Sequence, residues 1–105
     1  MKVINLTPYT INVSGHSPIE PQGEVARVNA QTIHTGSING MPVFETIVNG
    51  ASGVPQPSKD TVYIVPTMVR QAYPGRRDLV SPAKLLRDKD GIVNGCLGLE
   101  MNPKI

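Results

Sequence analysis

Arginine is the residue type in this sequence most suited to binding chemistry, and the arginines concentrate in its second half. Six of the ten Lys and Arg residues lie between positions 70 and 89, namely Arg70, Arg76, Arg77, Lys84, Arg87 and Lys89. Clustered guanidinium groups bind phosphate or carboxylate through paired, charge-assisted hydrogen bonds. The sequence therefore predicts an anion-binding site carried mainly by the C-terminal half of the chain.

The first candidate within this cluster is the Arg76-Arg77-Asp78 step, which directly follows Pro74-Gly75. A tight turn at this point would present a guanidinium fork outward, with Asp78 holding one arginine in place. The alternative is a solvated loop with a surface ion pair, which stabilises a fold by only about 0–1 kcal/mol. The sequence leaves both interpretations open.

Two further arginines are candidate ligands in different settings. Arg87 comes just before the Asp-Gly turn at 88–91, where charged side chains are normally solvated, so simple exposure is the favoured interpretation. Arg27 interrupts an apolar segment and shares a strand face with Val25. An arginine that points inward there needs a buried anion or carboxylate, but plain exposure is equally open.

Three polar side chains near the N-terminus form the last candidate group. Under the two-residue period of a strand, Asn5 and Thr7 share one face, and Tyr9 joins them if the chain stays extended through Pro8. An amide, a hydroxyl and a phenol on one face could bind a base edge and stack on a ring. The favoured alternative is that Asn5 and Thr7 stabilise the turn at Pro8.

The elements that must position these residues are mostly strands. Ten Gly and ten Pro in 105 residues predict frequent turns. Alternating or β-branched patterns predict strands at 2–6, 9–13, 24–28, 42–48 and 61–65, with the first two forming a hairpin or one bent strand. One or two helical turns are expected at 67–72. The prediction is one domain, residues 1–105, mainly β (β-rich α+β): a small barrel or sandwich of short antiparallel strands with at most one or two short helices.

Composition disfavours several classes of function. A net charge of +2 and four aromatic residues offer little to a nucleic-acid polymer. No apolar run approaches the roughly 20 residues of a membrane-spanning helix, so a cytoplasmic protein with no membrane partner is expected.

Cys96 is interpreted as a reduced core residue. His16 and His34 do not match the His-x-Thr spacing of phosphodiesterases, and neither metal nor cofactor is expected.

A set of short motifs runs through the chain in a fixed order: 4–8 (INLTP), 63–65 (YIV), Arg76-x-Asp78, Arg87-Asp88, Gly91-Ile92 and Gly95-Cys96. As an ordered set this pattern resembles a widespread group of small proteins from tailed phages and prophages, over nearly the whole length. The chain departs from the group in having Tyr9 in place of the usual His and Pro66 in place of the usual Ser. An imidazole and a hydroxyl ligand are therefore missing from those two positions.

The resemblance implies a role inside a bacterial host cell. Phage proteins of similar size and β-rich composition include sponges that sequester nucleotide signals of host immunity. By this analogy we expect a non-catalytic protein that binds a phosphorylated nucleotide, such as an ADP-ribose derivative or a cyclic nucleotide.

A chain this small is not expected to hold a deep cavity of its own, so a pocket between subunits of a homo-oligomer is expected. The alternative function is a protein-interaction module that inhibits a host complex or serves as an accessory phage part. A phosphodiesterase ranks third, because the sequence assembles no general base or metal set.

Overall fold

The computed structural model describes residues 1–104 and contains two β-sheets and one short helix. The elements in chain order are β1 (Lys2–Asn5), β2 (Arg27–Ile38), β3 (Met41–Ser52), β4 (Thr61–Ile64), α1 (Thr67–Ala72), β5 (Leu79–Arg87) and β6 (Val93–Met101). The predicted class, mainly β with at most two short helices, is confirmed. The helical turns expected at 67–72 are also confirmed.

The main sheet has four strands in the order β1-β4-β5-β6 and does not close. β1 runs parallel to β4, and β4 runs parallel to β5, whereas β5 and β6 are antiparallel. The sequence predicted short antiparallel strands, and a hairpin or bent strand over residues 2–13. That hairpin is not formed, because the turn around Pro8 leads into an irregular segment that makes only isolated bridges at Ile11 and Val13. β1 pairs instead with a strand more than fifty residues later in the chain.

The main sheet is covered on both faces by small apolar clusters. Successive side chains of a strand point to opposite faces. Tyr63 and Val65 accordingly join Leu6 and Leu79 in one cluster, while Ile64 packs with Val80, Ile11 and Cys96 in the other. The Cys96 thiol is free and its side chain is only 1% exposed, which confirms its prediction as a core residue.

The second sheet is a long hairpin of β2 and β3, which we call the arm (residues 27–52). The arm makes no hydrogen-bonded strand pair with the main sheet. Its two strands are joined by Asn39 and Gly40, whose φ angles of 51° and 80° suit the tight two-residue hairpin turn that favours Asn-Gly. Only the base of the arm, at Val28 and Ala51, packs against the first apolar cluster. The rest projects from the body.

Candidate functional site

Asn5 and Thr7 are buried and bind each other and the surrounding backbone. The Asn5 amide Nδ2 donates to the carbonyl oxygens of Tyr9 (2.7 Å) and Ile19 (2.9 Å). The Asn5 Oδ1 accepts from the Thr7 backbone N–H (2.9 Å) and the Thr7 hydroxyl (2.7 Å). The turn-stabilising interpretation of these two residues is therefore confirmed. The polar atoms of both side chains are bonded within the protein, so they are not free to bind a ligand. Their role is to fix the backbone at Tyr9.

Tyr9, which this network positions, is an exposed aromatic side chain at the edge of an open cleft. Its side chain is 71% exposed. We call this depression the Tyr9 cleft; it has a volume of about 440 Å³ and is lined by residues that include Tyr9, Arg27, Val28, Pro66, Thr67 and Met68. Its size falls within the range of about 300–1,000 Å³ typical of ligand sites. None of the described residues that line it is acidic.

Arg27 lies on the Tyr9 cleft at the base of the arm. Its side chain is exposed and does not point into the core, so the solvated interpretation of this arginine is confirmed. Arg27 and Tyr9 are thus the two predicted site residues that the fold brings to one depression in available form. The arrangement combines an aromatic face with a guanidinium group.

A second cleft of about 670 Å³ lies on the other side of Tyr9. Its lining is mainly apolar, with Thr10, Asn12 and Asn94 as uncharged polar members; the apolar residues include Pro8, Ile11, Pro82, Leu85 and Val93. Within the described part of the chain, no charged side chain lines this second cleft. It is therefore suited to apolar groups rather than to phosphate.

The Arg76–Asp78 pair forms a closed ion pair. Arg76 Nε and Nη2 lie 2.8 Å from the two carboxylate oxygens of Asp78, and Nη2 also donates to the Pro55 carbonyl at 3.0 Å. The hydrogen bond from Arg76 lowers the pKa of Asp78, and the same bond raises the pKa of Arg76. Asp78 therefore holds this arginine in place, as one interpretation expected. The Arg76 fork is occupied by the protein and fastens the loop at Pro55 to the body.

Arg77 and Arg87 are exposed and far apart. Arg77 Nε donates to the backbone oxygen of Asn102 at 3.2 Å, and its Nη2 lies 3.1 Å from Met101 Sδ. Arg87 Nη1 donates to the Gly91 carbonyl at 3.0 Å, in the hairpin turn. Strand β5, about 26 Å long at 3.3 Å per residue, lies between them. Within one chain, the guanidinium groups of Arg76, Arg77 and Arg87 do not converge on a common pocket.

The most completely bonded arginine is Arg70, which is 6% exposed. Its Nε donates to Ser81 Oγ at 2.9 Å, its Nη1 donates to Asn102 Oδ1 at 3.0 Å, and its Nη2 lies 3.5 Å from Glu100 Oε2. The Asn102 amide nitrogen in turn lies 2.9–3.1 Å from three carbonyl oxygens, those of residues 70, 73 and 76. This network fastens α1 to the end of β6.

The sequence did not identify the Arg70–Asn102 network. Arg70 counted only as part of the basic cluster. Nothing in the sequence around Asn102 marks it as a partner, because the two residues are 32 positions apart. The network is structural, since all its bonds are internal to the chain.

No group of three or more His, Cys, Asp or Glu side chains is placed to hold a metal ion among residues 1–104. α1, the one helix described, is too short to cross a membrane. Comparisons with protein-family models, with curated proteins and with solved structures find no match.

Proposed function

We propose that the protein is a non-catalytic binding protein that sequesters a small phosphorylated nucleotide. The observation that carries the proposal is the meeting of Tyr9 and Arg27 on one cleft of about 440 Å³. An exposed phenol ring offers a stacking face for a base. An exposed guanidinium group with no carboxylate partner among residues 1–104 offers paired donors to a phosphate. The absence of acidic residues among the described lining removes a source of repulsion.

The rigidity of the site supports binding. The Asn5–Thr7 hydrogen bonds hold the backbone of Tyr9, so less conformational freedom is lost when a ring stacks there. A nucleotide of roughly 35 heavy atoms at about 0.3 kcal/mol per atom would bind with about 10 kcal/mol. This corresponds to a dissociation constant in the tens of nanomolar. Such an affinity is sufficient to deplete a scarce signal.

The phage-protein resemblance narrows the ligand class. It favours a nucleotide signal of host immunity, such as an ADP-ribose derivative or a cyclic dinucleotide. Sequestration needs stoichiometric binding without turnover. The bound nucleotide should therefore be recovered chemically unchanged from the protein.

Calorimetry with a panel of cyclic dinucleotides and ADP-ribose derivatives tests the proposal. Arg27→Gln should weaken binding about 10- to 150-fold, because it removes a charge-assisted bond of about 1.5–3 kcal/mol. Tyr9→Ala should weaken binding about 5- to 150-fold through the lost stacking of about 1–3 kcal/mol. Arg87→Gln is the matched control, since Arg87 is an exposed arginine outside the Tyr9 cleft.

Three results would contradict the proposal. No heat with any member of the panel would remove the ligand class. An equal effect of Arg27→Gln and Arg87→Gln would remove the Tyr9 cleft as the site. A nucleotide converted by the purified protein, detected by chromatography after incubation, would show that the protein is an enzyme.

A second candidate function, a protein-interaction module, is favoured by the projecting arm. The arm exposes apolar side chains that a monomeric binding protein does not need. Stoichiometric recovery of one host protein with the purified chain, with no nucleotide retained, would favour this function over sequestration.

A further inference from the structure

Both faces of the arm expose large apolar side chains beside polar ones such as Thr32, Thr46 and Glu45, and neither face is covered beyond the base of the arm. Phe44 and Val48 lie on one face, where Phe44 packs against His34 with ring centroids 5.5 Å apart. Ile47 lies on the opposite face, and Ile38 and Met41 follow at the tip. The large apolar side chains of the arm, Ile33, Ile38, Met41, Phe44, Ile47 and Val48, are between 37% and 60% exposed.

The arm is also almost free of charge. Between residues 28 and 52 the sequence has one charged side chain, Glu45. An isolated two-stranded hairpin is at best marginally stable in water, and an exposed apolar ribbon tends to pair with other chains. The radius of gyration of 16.3 Å exceeds the roughly 13 Å of a compact chain of this length, as a projecting arm requires. The arm therefore needs a covering surface to be stable.

We infer that the arm is covered by a second copy of this chain, in a two-fold dimer in which each copy lays its arm on the other. Beyond its base the arm keeps about 10 residues in each strand, a ribbon about 33 Å long and 10 Å wide, or about 330 Å² per face. In a reciprocal exchange each copy buries one arm face and an equal strip beneath its partner's arm. That is about 660 Å² per copy and about 1,300 Å² in total, within the range of about 1,200–2,000 Å² of stable interfaces.

The body of the same chain carries a surface suited to the arm. The second cleft is apolar, and Leu85 and Val93 at its rim are half exposed. Leu97 and Leu99 add exposed apolar surface on β6. An uncharged ribbon is matched by such a surface and not by phosphates or a charged partner. Because every copy carries both surfaces, the covering partner is present at the concentration of the chain itself.

The inference goes beyond nucleotide binding and does not depend on it. Sedimentation velocity between about 1 and 100 μM should show a dimer or a larger symmetric assembly of the wild type. Phe44→Asp and Ile47→Asp each place a charge on one face of the arm. At least one of the two variants should raise the dissociation constant of the dimer about tenfold or more. Gln71→Glu is the control, because it adds the same charge at an exposed position of α1.

A wild type that sediments as a monomer at 100 μM would overturn the inference. So would two arm variants that assemble as the wild type does. Circular dichroism of each variant establishes that the body remains folded.

A crosslinking experiment tests the same contact without placing a charge on the arm. In Ser37→Cys, the exposed strand end next to the tip of the arm carries the accessible thiol, because Cys96 is buried. The variant is labelled with a benzophenone maleimide, mixed with isotopically heavy wild type and irradiated. Crosslinks from the light tip to peptides of the heavy body are expected. Crosslinks confined to one chain, or none, would contradict the inference.

Discussion

Asn102 should be a position at which a small substitution has a large effect on stability. It lies beyond the end of β6, is only 3% exposed, and accepts a hydrogen bond from the buried Arg70 guanidinium while donating to the backbone around α1. Asn102→Ala removes the acceptor and leaves a charged donor without its partner. Removing one partner of a buried hydrogen bond costs more than the bond contributes, because the other partner remains desolvated.

The size of the effect follows from which groups lose their partners. The Arg70 backbone oxygen also accepts from the Tyr73 N–H at 3.2 Å, so this oxygen stays satisfied. The bonds to Tyr73 and Arg76 are partly buried, and water can replace them. Only the Arg70 Nη1 group then lacks a hydrogen-bond acceptor. An unsatisfied buried polar group costs about 1–3 kcal/mol, and a charged group costs more. We expect Asn102→Ala to lower the free energy of unfolding by about 2–3 kcal/mol.

Urea unfolding measures this loss. With a slope of about 1–3 kcal/mol per molar urea, the midpoint should fall by about 1–2 M while the slope stays unchanged. Asn94→Ala is the matched control, because Asn94 is an exposed asparagine of β6 and should change stability by less than about 0.5 kcal/mol. Equal losses in the two variants would refute the reasoning. The double variant Arg70→Met/Asn102→Ala should lose less than the sum of its single variants.

Three further outcomes are expected. Asp78→Asn should destabilise the protein at neutral pH, and in thermal melts the loss should shrink as pH falls below about 3.9. A carboxyl whose pKa is lowered on folding contributes stability above its unfolded pKa of about 3.9 and loses it as pH falls through the lower folded value. Gly53→Ala should destabilise more than Gly15→Ala in urea unfolding; both have positive φ, but only at Gly53 would the new Cβ lie 2.7 Å from a backbone oxygen. Cys96 should react with a thiol reagent only in denaturant, and rapid native labelling would contradict its burial.

The parts of the fold that sequence predicted are those fixed by local chemistry. The β-branched run at 61–65 forms β4, and Pro74-Gly75 follows the end of α1. Strong local signals of this kind depend little on the rest of the chain. The Asn5–Thr7 turn was favoured for the same reason, because short polar side chains before a proline bind their own backbone.

The parts that sequence missed depend on distant partners or on local exceptions. Pro82 lacks the backbone N–H that a strand ladder uses, yet β5 continues through it to Arg87, with a left-handed residue at Lys84. The arm strands exceed the short strands expected, because register shifts near Val28 and His34 absorb irregular positions without ending the pairing. The two-residue alternation of side chains shows which residues of a strand share a face, but not which strand pairs with it. The pairing of β1 with β4 could therefore not be predicted from the sequence. The arginines are close together in the sequence, but the fold places them at opposite ends of β5.

The arm begins and ends at neighbouring points of the body, since Arg27 pairs with Ser52 and Gly53 lies against Ala26. Chain length between those two points can change without altering how β1 meets β4, because the closure entropy of a loop rises slowly with its length. The body can thus keep its fold when the arm inserted into it is replaced. Exchange of that insert would change the surface that the arm presents, while the buried residues of the main sheet stay as they are.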